Sequence, residues 1–279
     1  MTLNTFGVLN TLIKRSSSVK DMASFLPISL TEKLTVKEAS SLKMLSFNMR
    51  WLLVIHYSWI ESVLKGFPEC FRNAIINLLP SGISDKLADA SMLTERNSKI
   101  HSKFAALFLL QGLKEKIYPD YVIDEMFLPV SSINILLYLK VKLRMQLIDF
   151  LGLYDLANEL HMVVSQSRLQ EINQILSKKK RLFLNYCMTH PLKYSDKCRF
   201  LATWDGSEAR LRHHIHSQGL IFLGKALAQE NASLLWHLLR RFDVQRAYLI
   251  EKSIKESQHA KNSEYFKNYV IKCIKVVVQ

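Results

Sequence analysis

The clearest structural pattern in the sequence is the stretch Ala232-Ser-Leu-Leu-Trp-His-Leu-Leu-Arg-Arg-Phe242. Its apolar residues stand at positions i, i+1, i+4, i+5 and i+8, counted from Leu234, and therefore share one face of an α-helix. A second stripe of apolar residues consists of Ile133, Leu136, Leu137, Leu143 and Leu147. Both patterns predict helices that bury one face and expose the other.

The composition favours helices throughout the chain. The protein has 279 residues, of which 49% are hydrophobic, and it contains only 8 Gly and 6 Pro. Average usage would give roughly twice as many of these two residues, which turn-rich β-folds need. We therefore expect an all-α protein in which short helices, mostly of about 8–20 residues, form two or three packed, armadillo-like modules.

Local signals indicate where several helices begin and end. In a capping box, a side-chain oxygen and a Glu or Gln three residues later satisfy the first amides of a helix. Five such boxes occur, at Ser29–Glu32, Thr35–Glu38, Ser58–Glu61, Ser167–Gln170 and Asp205–Glu208. We expect Gly66 to end one helix in the left-handed conformation, and Pro68 and Pro80 to bound the next helix.

Charge is distributed unevenly along the chain. Residues 1–176 carry 19 basic and 16 acidic side chains, whereas residues 177–279 carry 19 basic and 8 acidic ones. From this shift and from polar stretches we predict three parts: an N-terminal arm (1–28), a central helical region (29–176) and a basic C-terminal helical domain (177–279).

The basic side chains of the last part are candidates for a binding surface. They are Lys178, Lys179, Lys180, Arg181, Arg210, Arg212, Arg240 and Arg241. Such a surface attracts an acidic protein, a nucleic acid or a membrane surface, while an ordinary solvated face is the alternative. Nucleic acid is the less favoured partner, because Phe183 and Tyr186 fall on an apolar stripe and not between the basic residues.

The sequence contains no motif that predicts a reaction, so we expect neither enzyme activity nor a cofactor. Neither glycine-rich phosphate-binding pattern occurs, nor does the serine-hydrolase elbow or the paired histidines of zinc proteases. The most metal-like residues are Cys187, His190, Cys198, His213, His214 and His216. Their spacing matches no common zinc finger, so we expect no metal, a buried Cys187 thiol and three histidines on a solvated helix face.

Further features predict the compartment. The four cysteines, Cys70, Cys187, Cys198 and Cys273, are widely spaced, which is typical of a reducing cytosol and not of a disulfide scaffold. The first residues do not form a secretory signal, and the longest apolar run (104–110) is far shorter than the ~20 residues of a membrane span. We expect a cytoplasmic protein that is at most peripheral to a membrane.

One aromatic cluster is a candidate docking site for a protein partner. His56, Tyr57, Ser58 and Trp59 lie at the start of a predicted helix. Tryptophan is enriched among the residues that dominate interface energies, and Trp204 is a further candidate on this ground. For each tryptophan taken singly, burial within the protein's own fold is the favoured interpretation.

Two stretches resemble the FliG family of flagellar motor switch proteins. Within residues 49–80, the resemblance to the FliG middle domain is carried by His56, Ile60, Val63-Leu64, Phe67 and Leu78-Leu79-Pro80. Only the histidine of that domain's Glu-His-Pro-Gln motif is kept. The resemblance to the FliG C-terminal domain is carried by Trp204-Asp205, Gly219-Leu220, Ala226-Leu227, Leu234, Leu238-Leu239 and Arg246-Ala247.

The resemblance implies a scaffold protein. Relatives of this family in type III secretion include the sorting-platform adaptor called the K subunit (SctK-like), and the charged residues that a flagellar rotor uses against its stator are not recognisable here. A secretion adaptor is therefore implied. Its partners would be the cytosolic domain of the inner-membrane ring protein, a C-ring or sorting-platform protein and an ATPase regulator. The residues alone leave one alternative, a helical RNA-binding protein that uses its basic C-terminal domain.

Overall fold

A computed structural model describes residues 50–91, 103–161, 166–193, 200–259 and 262–278. The regular elements in these ranges are all helices, which confirms the expected all-α class. Contacts divide the chain into an N-terminal unit, Met1–Val122, and a C-terminal unit, Ile123–Gln279.

The described part of the N-terminal unit consists of short helices that pack against one another. Its described helices are α1 (Arg50–Val54), α2 (Tyr57–Leu64), α3 (Glu69–Leu78), α4 (Ser81–Ser91) and α5 (Lys103–Ile117). Helices α2 and α3 each pack against both α4 and α5. Apolar residues at helical spacing, such as Ile60 and Leu64 in α2, fill the space between these helices.

The C-terminal unit begins with two 3-10 helices, Glu125–Phe127 and Ser132–Tyr138. Eight α-helices follow among the described residues: α6 (Val141–Leu160), α7 (Gln166–Ile175), α8 (Lys178–Thr189), α9 (Phe200–Thr203), α10 (Glu208–Leu227), α11 (Ala232–Arg240), α12 (Val244–Ser257) and α13 (Ser263–Val278). Helix α6 packs against α8, α10 and α13, and α10 packs against α12 and α13 as well. The two longest helices therefore form the centre of this unit.

Glycines let α6 and α10 approach each other closely. A Cβ atom at Gly152 would lie 1.8 Å from the carbonyl oxygen of Ile215, and one at Gly219 would lie 1.9 Å from that of Ile148. Neither position has room for a side chain. The crossing of the two central helices therefore depends on these two residues.

The stripe predicted from Ile133 to Leu147 is not one α-helix. Residues Ser132–Tyr138 form a 3-10 helix, and α6 begins only at Val141. With three residues per turn, Ile133, Leu136 and Leu139 share one face, and all three are buried. The predicted continuation through Leu143 and Leu147 was wrong because the helical period changes between the two elements.

The ends of α2 differ from the prediction. The helix begins at Tyr57, and its N-cap is His56, whose Nδ1 accepts a hydrogen bond from the Ser58 amide at 3.3 Å. Ser58 therefore already lies in the helix. Gly66 does not take the left-handed conformation, because its amide donates to the Val63 carbonyl at 3.1 Å in a tight final turn.

Two further predicted capping boxes also miss the N-cap. Helix α7 begins before Ser167. Helix α10 is capped by the Ser207 hydroxyl, which accepts from the Arg210 amide, while the Asp205 carboxylate accepts from the Ser207 amide. Asp205 and Ser207 each accept from a different amide near the helix start, so the pattern locates that start only to within a few residues. The boxes at Ser29 and Thr35 lie outside the described residues.

Prolines are the more reliable boundary signals. Pro68 is the N-cap of α3, that helix ends at Leu78, and Pro80 directly precedes α4. The divide between the two units falls after Val122, so the boundary predicted before residue 177 lies inside the C-terminal unit, where α8 packs on α6. The predicted arm, residues 1–28, lies outside the described residues.

Among the described helices, none combines enough length with enough apolar character to cross a lipid bilayer.

Candidate functional site

The surface of the C-terminal unit that most needs explanation is the segment of residues 123–140, here called the strap. More than half of the exposed large apolar side chains among the described residues lie between Ile123 and Val141. Phe127 is 71% exposed and Val130 is 101% exposed. The others are Ile123, Met126, Ile135, Tyr138 and, directly after the strap, Val141. Concentrated exposure of this kind marks an interaction site more often than isolated apolar residues do.

Polar contacts from α11 hold the beginning of the strap. The Ile123 amide donates to Ser233 Oγ at 3.3 Å, and the Ile123 carbonyl accepts from His237 Nε2 at 2.8 Å. The Glu125 carboxylate accepts a hydrogen bond from the Arg241 guanidinium. The chain is thus fixed where its exposed apolar residues begin.

The end of the strap is held in the same way. Ser131 Oγ donates to Glu230 Oε1 at 3.2 Å, and the Asn134 side chain donates to the Pro129 carbonyl at 2.9 Å. Inside the strap, the second 3-10 helix buries Ile133 against the unit. The exposed side chains therefore stand on a backbone that is already ordered, which lowers the entropy cost of docking a partner.

Arg144 of α6 ties the strap to α11. Its side chain donates to the Arg241 carbonyl at 3.0 Å and to the Leu139 carbonyl at 3.4 Å, and it lies over the Phe242 ring. Both carbonyls belong to helix ends, where the acceptors lack partners within their own helix. Burial, together with the charge of Arg241, lowers the pKa of Arg144 to about 10, so the group stays charged at neutral pH.

The predicted aromatic cluster lies on the N-terminal unit. His56, Tyr57, Ser58 and Trp59 are all half-buried at the start of α2. The His56 and Tyr57 rings lie 4.5 Å apart, and Lys86 Nζ lies 5.4 Å from the centre of the Tyr57 ring. The four residues thus form one partly accessible patch. Trp204, in contrast, is buried, and its Nε1 donates to the Ser207 carbonyl at 3.0 Å.

Five of the eight predicted basic residues face solvent. Lys178, Lys179 and Arg181 are exposed in the first turn of α8. Arg210 and Arg212 are exposed near the start of α10 and form ion pairs with Asp205 at 2.9 Å and Glu208 at 2.7 Å. Exposed pairs of this type contribute little to stability and exchange readily.

The other three predicted surface cations are less exposed, because each has a partner within the C-terminal unit. Arg241 is only 11% exposed because it pairs with Glu125 of the strap. Lys180 is 19% exposed because it pairs with Asp149 at 2.8 Å. Arg240 lies half-buried over the Trp236 ring. Glu125 and Asp149 are distant in sequence from the cations that they pair with, so charge patterning did not reveal these two ion pairs.

Asp149 of α6 joins three other helices through one polar network. Its carboxylate accepts from Lys180 Nζ of α8 and from His216 Nδ1 of α10, each at 2.8 Å. Arg246 Nε of α12 donates to His216 Nε2 at 2.9 Å. Because an arginine N–H only donates, His216 carries its proton on Nδ1 and is neutral. Burial raises the pKa of Asp149, but the hydrogen bonds from His216 and Lys180 outweigh burial and lower this pKa below its ordinary value.

The three neighbouring histidines of α10 do not share a solvated face. His213 alone is exposed. His214 stacks on the Phe200 ring at 3.8 Å, and its Nε2 lies 3.7 Å from Glu159 Oε1. Burial lowers the pKa of His214, although the charge of Glu159 opposes this effect. The prediction of a solvated surface was wrong for His214 and His216, because side chains of α6 lie against both. Glu159 is the neighbour of His214, and Asp149 is the neighbour of His216.

The metal-like residues identified in the sequence do not converge in the described part of the chain. Cys187 is buried and burial raises the pKa of its thiol, as expected for a structural residue. His190 is exposed at the end of α8, and Cys198 lies outside the described residues.

A different group brings possible metal ligands together. Asp155, Glu159 and His214 place one ligand atom each within 4.8 Å of one another. The Glu159 carboxylate, however, already accepts from the Phe200 amide at 3.2 Å and from the Leu201 amide at 2.8 Å. It therefore acts as a cap for the start of α9, and the group has a structural role.

Two features escaped the sequence-based reasoning, namely the exposed strap and the network around Asp149. A hint of the first is the apolar run Met126-Phe-Leu-Pro-Val130, which has no helical period. Most residues that carry the resemblance to FliG, such as Ile60, Leu64 and Leu238, are buried. They therefore describe helix packing and not a binding surface. No family model, curated protein or solved structure matches this chain.

Proposed function

We propose that this protein is a non-enzymatic adaptor of a type III secretion apparatus. In this role it links the cytosolic domain of the inner-membrane ring protein to a C-ring or sorting-platform protein, and it lies in the cytoplasm at the inner membrane. An ATPase regulator is a further partner of such an adaptor. Two features support this role: the two FliG-like stretches, and a helical body that presents an ordered apolar surface.

The strap is the observation that carries the proposal. It displays Phe127 and Val130 to solvent while hydrogen bonds from α11 hold its backbone. Exposed apolar side chains do not stabilise a protein that has no partner. In a complex, burying each large apolar side chain contributes about 1.5–3 kcal/mol of stability. An adaptor needs rigid surfaces of this kind, because it binds more than one subunit and its conformation must not change as each one docks.

The test is co-purification of the full-length chain with the ring and sorting-platform proteins encoded in the same genome. We expect the double substitution Phe127→Ser and Val130→Ser to weaken binding of at least one of them by about tenfold or more, since interface centres are dominated by a few apolar and aromatic anchors. Trp59→Ala tests the aromatic patch of the N-terminal unit in the same assay. We expect it to weaken retention of a ring partner without unfolding the protein.

Tyr248→Ser is the matched control, because Tyr248 is 64% exposed on α12, away from the strap in sequence. Its binding should equal that of the unchanged protein. Circular dichroism of each variant verifies that the helices are intact. If the unchanged protein retains none of these subunits, the adaptor role is wrong. If the double variant binds all of them as tightly as before, the strap is not the docking surface.

RNA binding is the second candidate function, and one observation favours it. Lys178, Lys179 and Arg181 are exposed in one helical turn, with the half-exposed Tyr186 two turns further along α8. Gel-shift assays with RNA at two salt concentrations distinguish the two functions, because phosphate contacts make the affinity fall steeply with salt. Unchanged RNA mobility at the lower salt concentration would remove this candidate.

A further inference from the structure

A groove of about 380 Å³ lies on the C-terminal unit where α8 begins. Three cationic side chains line it, Lys180, Arg212 and Arg246, together with His213 and His216. Asp149 is the one carboxylate among the lining residues. We call this cavity the basic groove. Its lining comes from five helices, α6, α7, α8, α10 and α12, so the charges converge only in the folded protein.

The positive charge of the basic groove exceeds what its own carboxylate balances. Asp149 is already shared between Lys180 and His216, each at 2.8 Å. The partner of Arg212 is Glu208, which lies outside the groove in an exposed pair one helical turn away. A ligand carboxylate can replace that pair at small cost, because exposed ion pairs are weak. Arg246 is 43% exposed, and its partner Asp243, the N-cap of α12, likewise lies outside the lining of the groove.

The start of α8 adds to the attraction for anions. Ser177 lines the groove, is the N-cap of this 12-residue helix, and makes no side-chain capping hydrogen bond. Lys178, Lys179 and Arg181 follow it in the first turn. Cations at a helix N-terminus oppose the helix dipole, so this arrangement does not stabilise the isolated helix. It does favour a negative group bound beside the first turn.

The floor of the basic groove distinguishes between classes of anion. Ile175, Leu176 and Ile215 contribute an apolar surface beneath the charged rim. No phenylalanine, tyrosine or tryptophan is among the described residues that line the groove, so it lacks the large rings on which nucleic-acid bases usually stack. An aspartate or glutamate flanked by aliphatic residues fits this lining, because its carboxylate can contact the cationic rim while the aliphatic side chains contact the apolar floor.

We propose that the basic groove binds an acidic peptide segment of a partner protein. Carboxylates of the segment contact Arg212, Arg246 and the first turn of α8, and an aliphatic side chain lies on Ile175 and Ile215. Assigning the segment to a secretion subunit rests on the proposed function, whereas binding of an acidic peptide does not.

The test is fluorescence anisotropy of the full-length chain with a fluorescein-labelled peptide that alternates glutamate and leucine. The double substitution Lys178→Gln and Arg212→Gln removes one exposed cation of the groove lining and one exposed cation of the adjacent first turn of α8, without touching the Asp149 network. We expect it to weaken peptide affinity by about tenfold or more, because hydrogen bonds to charged groups are among the strong ones. Lys252→Gln with Lys255→Gln is the matched control, since both lysines are exposed on α12 and the loss of charge is equal.

The peptide affinity of the control double variant should fall by less than about threefold, which is the loss expected from the change in net charge alone. Equal losses in the two double variants would mean general charge attraction and would overturn the proposal. Tighter binding of a labelled oligouridylate of equal charge, lost in the same groove variant, would overturn it in favour of a nucleic acid. Phe127→Ser with Val130→Ser should leave peptide binding unchanged, so failure at the groove is distinguishable from failure of the strap.

Discussion

At the scale of single residues, Asp149 is the group whose protonation matters most for the C-terminal unit. Its pKa is below the ordinary value because Lys180 and His216 donate to the carboxylate despite its burial. A carboxyl group with a lowered pKa stabilises the folded state above its unfolded pKa of about 3.9. That contribution is lost as the pH falls further, through the lower pKa of the folded protein.

We therefore expect Asp149→Asn to lower the free energy of unfolding at neutral pH by about 1–2 kcal/mol, after allowance for partial exposure of the network. The difference between the variant and the unchanged protein should shrink below about pH 3.9, where the wild-type carboxyl takes up its proton. Urea unfolding followed by circular dichroism across this range measures both effects. Asp205→Asn is the control, because that carboxylate is exposed and its partners are the exposed Arg210 side chain and the Ser207 amide. Equal stability of Asp149→Asn and the unchanged protein at neutral pH would contradict this account.

At the scale of elements, the crossing of α6 and α10 is the contact on which the C-terminal unit depends. A Cβ at Gly152 or Gly219 would overlap the backbone of the facing helix at 1.8 or 1.9 Å. Backbone atoms cannot rotate out of the way as a side chain can. The helices would therefore have to separate, and the apolar contacts along both would be lost with them.

We expect Gly152→Ala to destabilise the protein by about 3 kcal/mol or more, at or beyond the upper end of ordinary overpacking. Gly112→Ala is the contrasting variant, because Gly112 lies within α5 and a Cβ there meets no atom within 4 Å. It should leave stability unchanged or raise it by up to about 1 kcal/mol, since alanine favours the helix. Thermal loss of the helical circular-dichroism signal compares the two. Similar melting of both variants would show that the close approach of α6 and α10 is not essential.

At the scale of the whole molecule, two opposing forces act between copies of the chain. The net charge of +14 repels them, whereas the exposed apolar side chains of the strap attract them. Salt weakens only the first force, because the Debye length falls from about 10 Å at 0.1 M to about 3 Å at 1 M ionic strength. The balance between solubility and association therefore shifts with salt.

We expect the sedimentation coefficient of the unchanged protein to rise with ionic strength at fixed concentration. The double variant Phe127→Ser and Val130→Ser should show a much smaller rise, because the attractive surface is reduced while the charge is the same. Tyr248→Ser should behave as the unchanged protein does. An equal rise in all three proteins would mean that the strap does not mediate association.

The sequence correctly predicted the all-helical class, the bounds of α3, and the burial of Cys187 and Trp204. These properties depend on backbone sterics and on apolar spacing within a few turns, which are local. The 3-10 helix at Ser132–Tyr138 was misread because a short apolar run fits two periods. Long-range contacts explain the low exposure of two predicted surface cations, since Arg241 pairs with Glu125 and Lys180 pairs with Asp149 across many residues. The departures at helix starts are local, since His56 and Ser207 occupy N-cap positions that the capping boxes assigned to neighbouring residues.

The local sequence therefore determines which segments form helices and which faces of those helices are buried. The folded arrangement alone accounts for the solvent-facing strap, for the basic groove, and for which cations remain available to a partner. The physical reason is that helix formation is settled between neighbours three or four residues apart, whereas burial and ion pairing depend on distances between segments that only packing brings together.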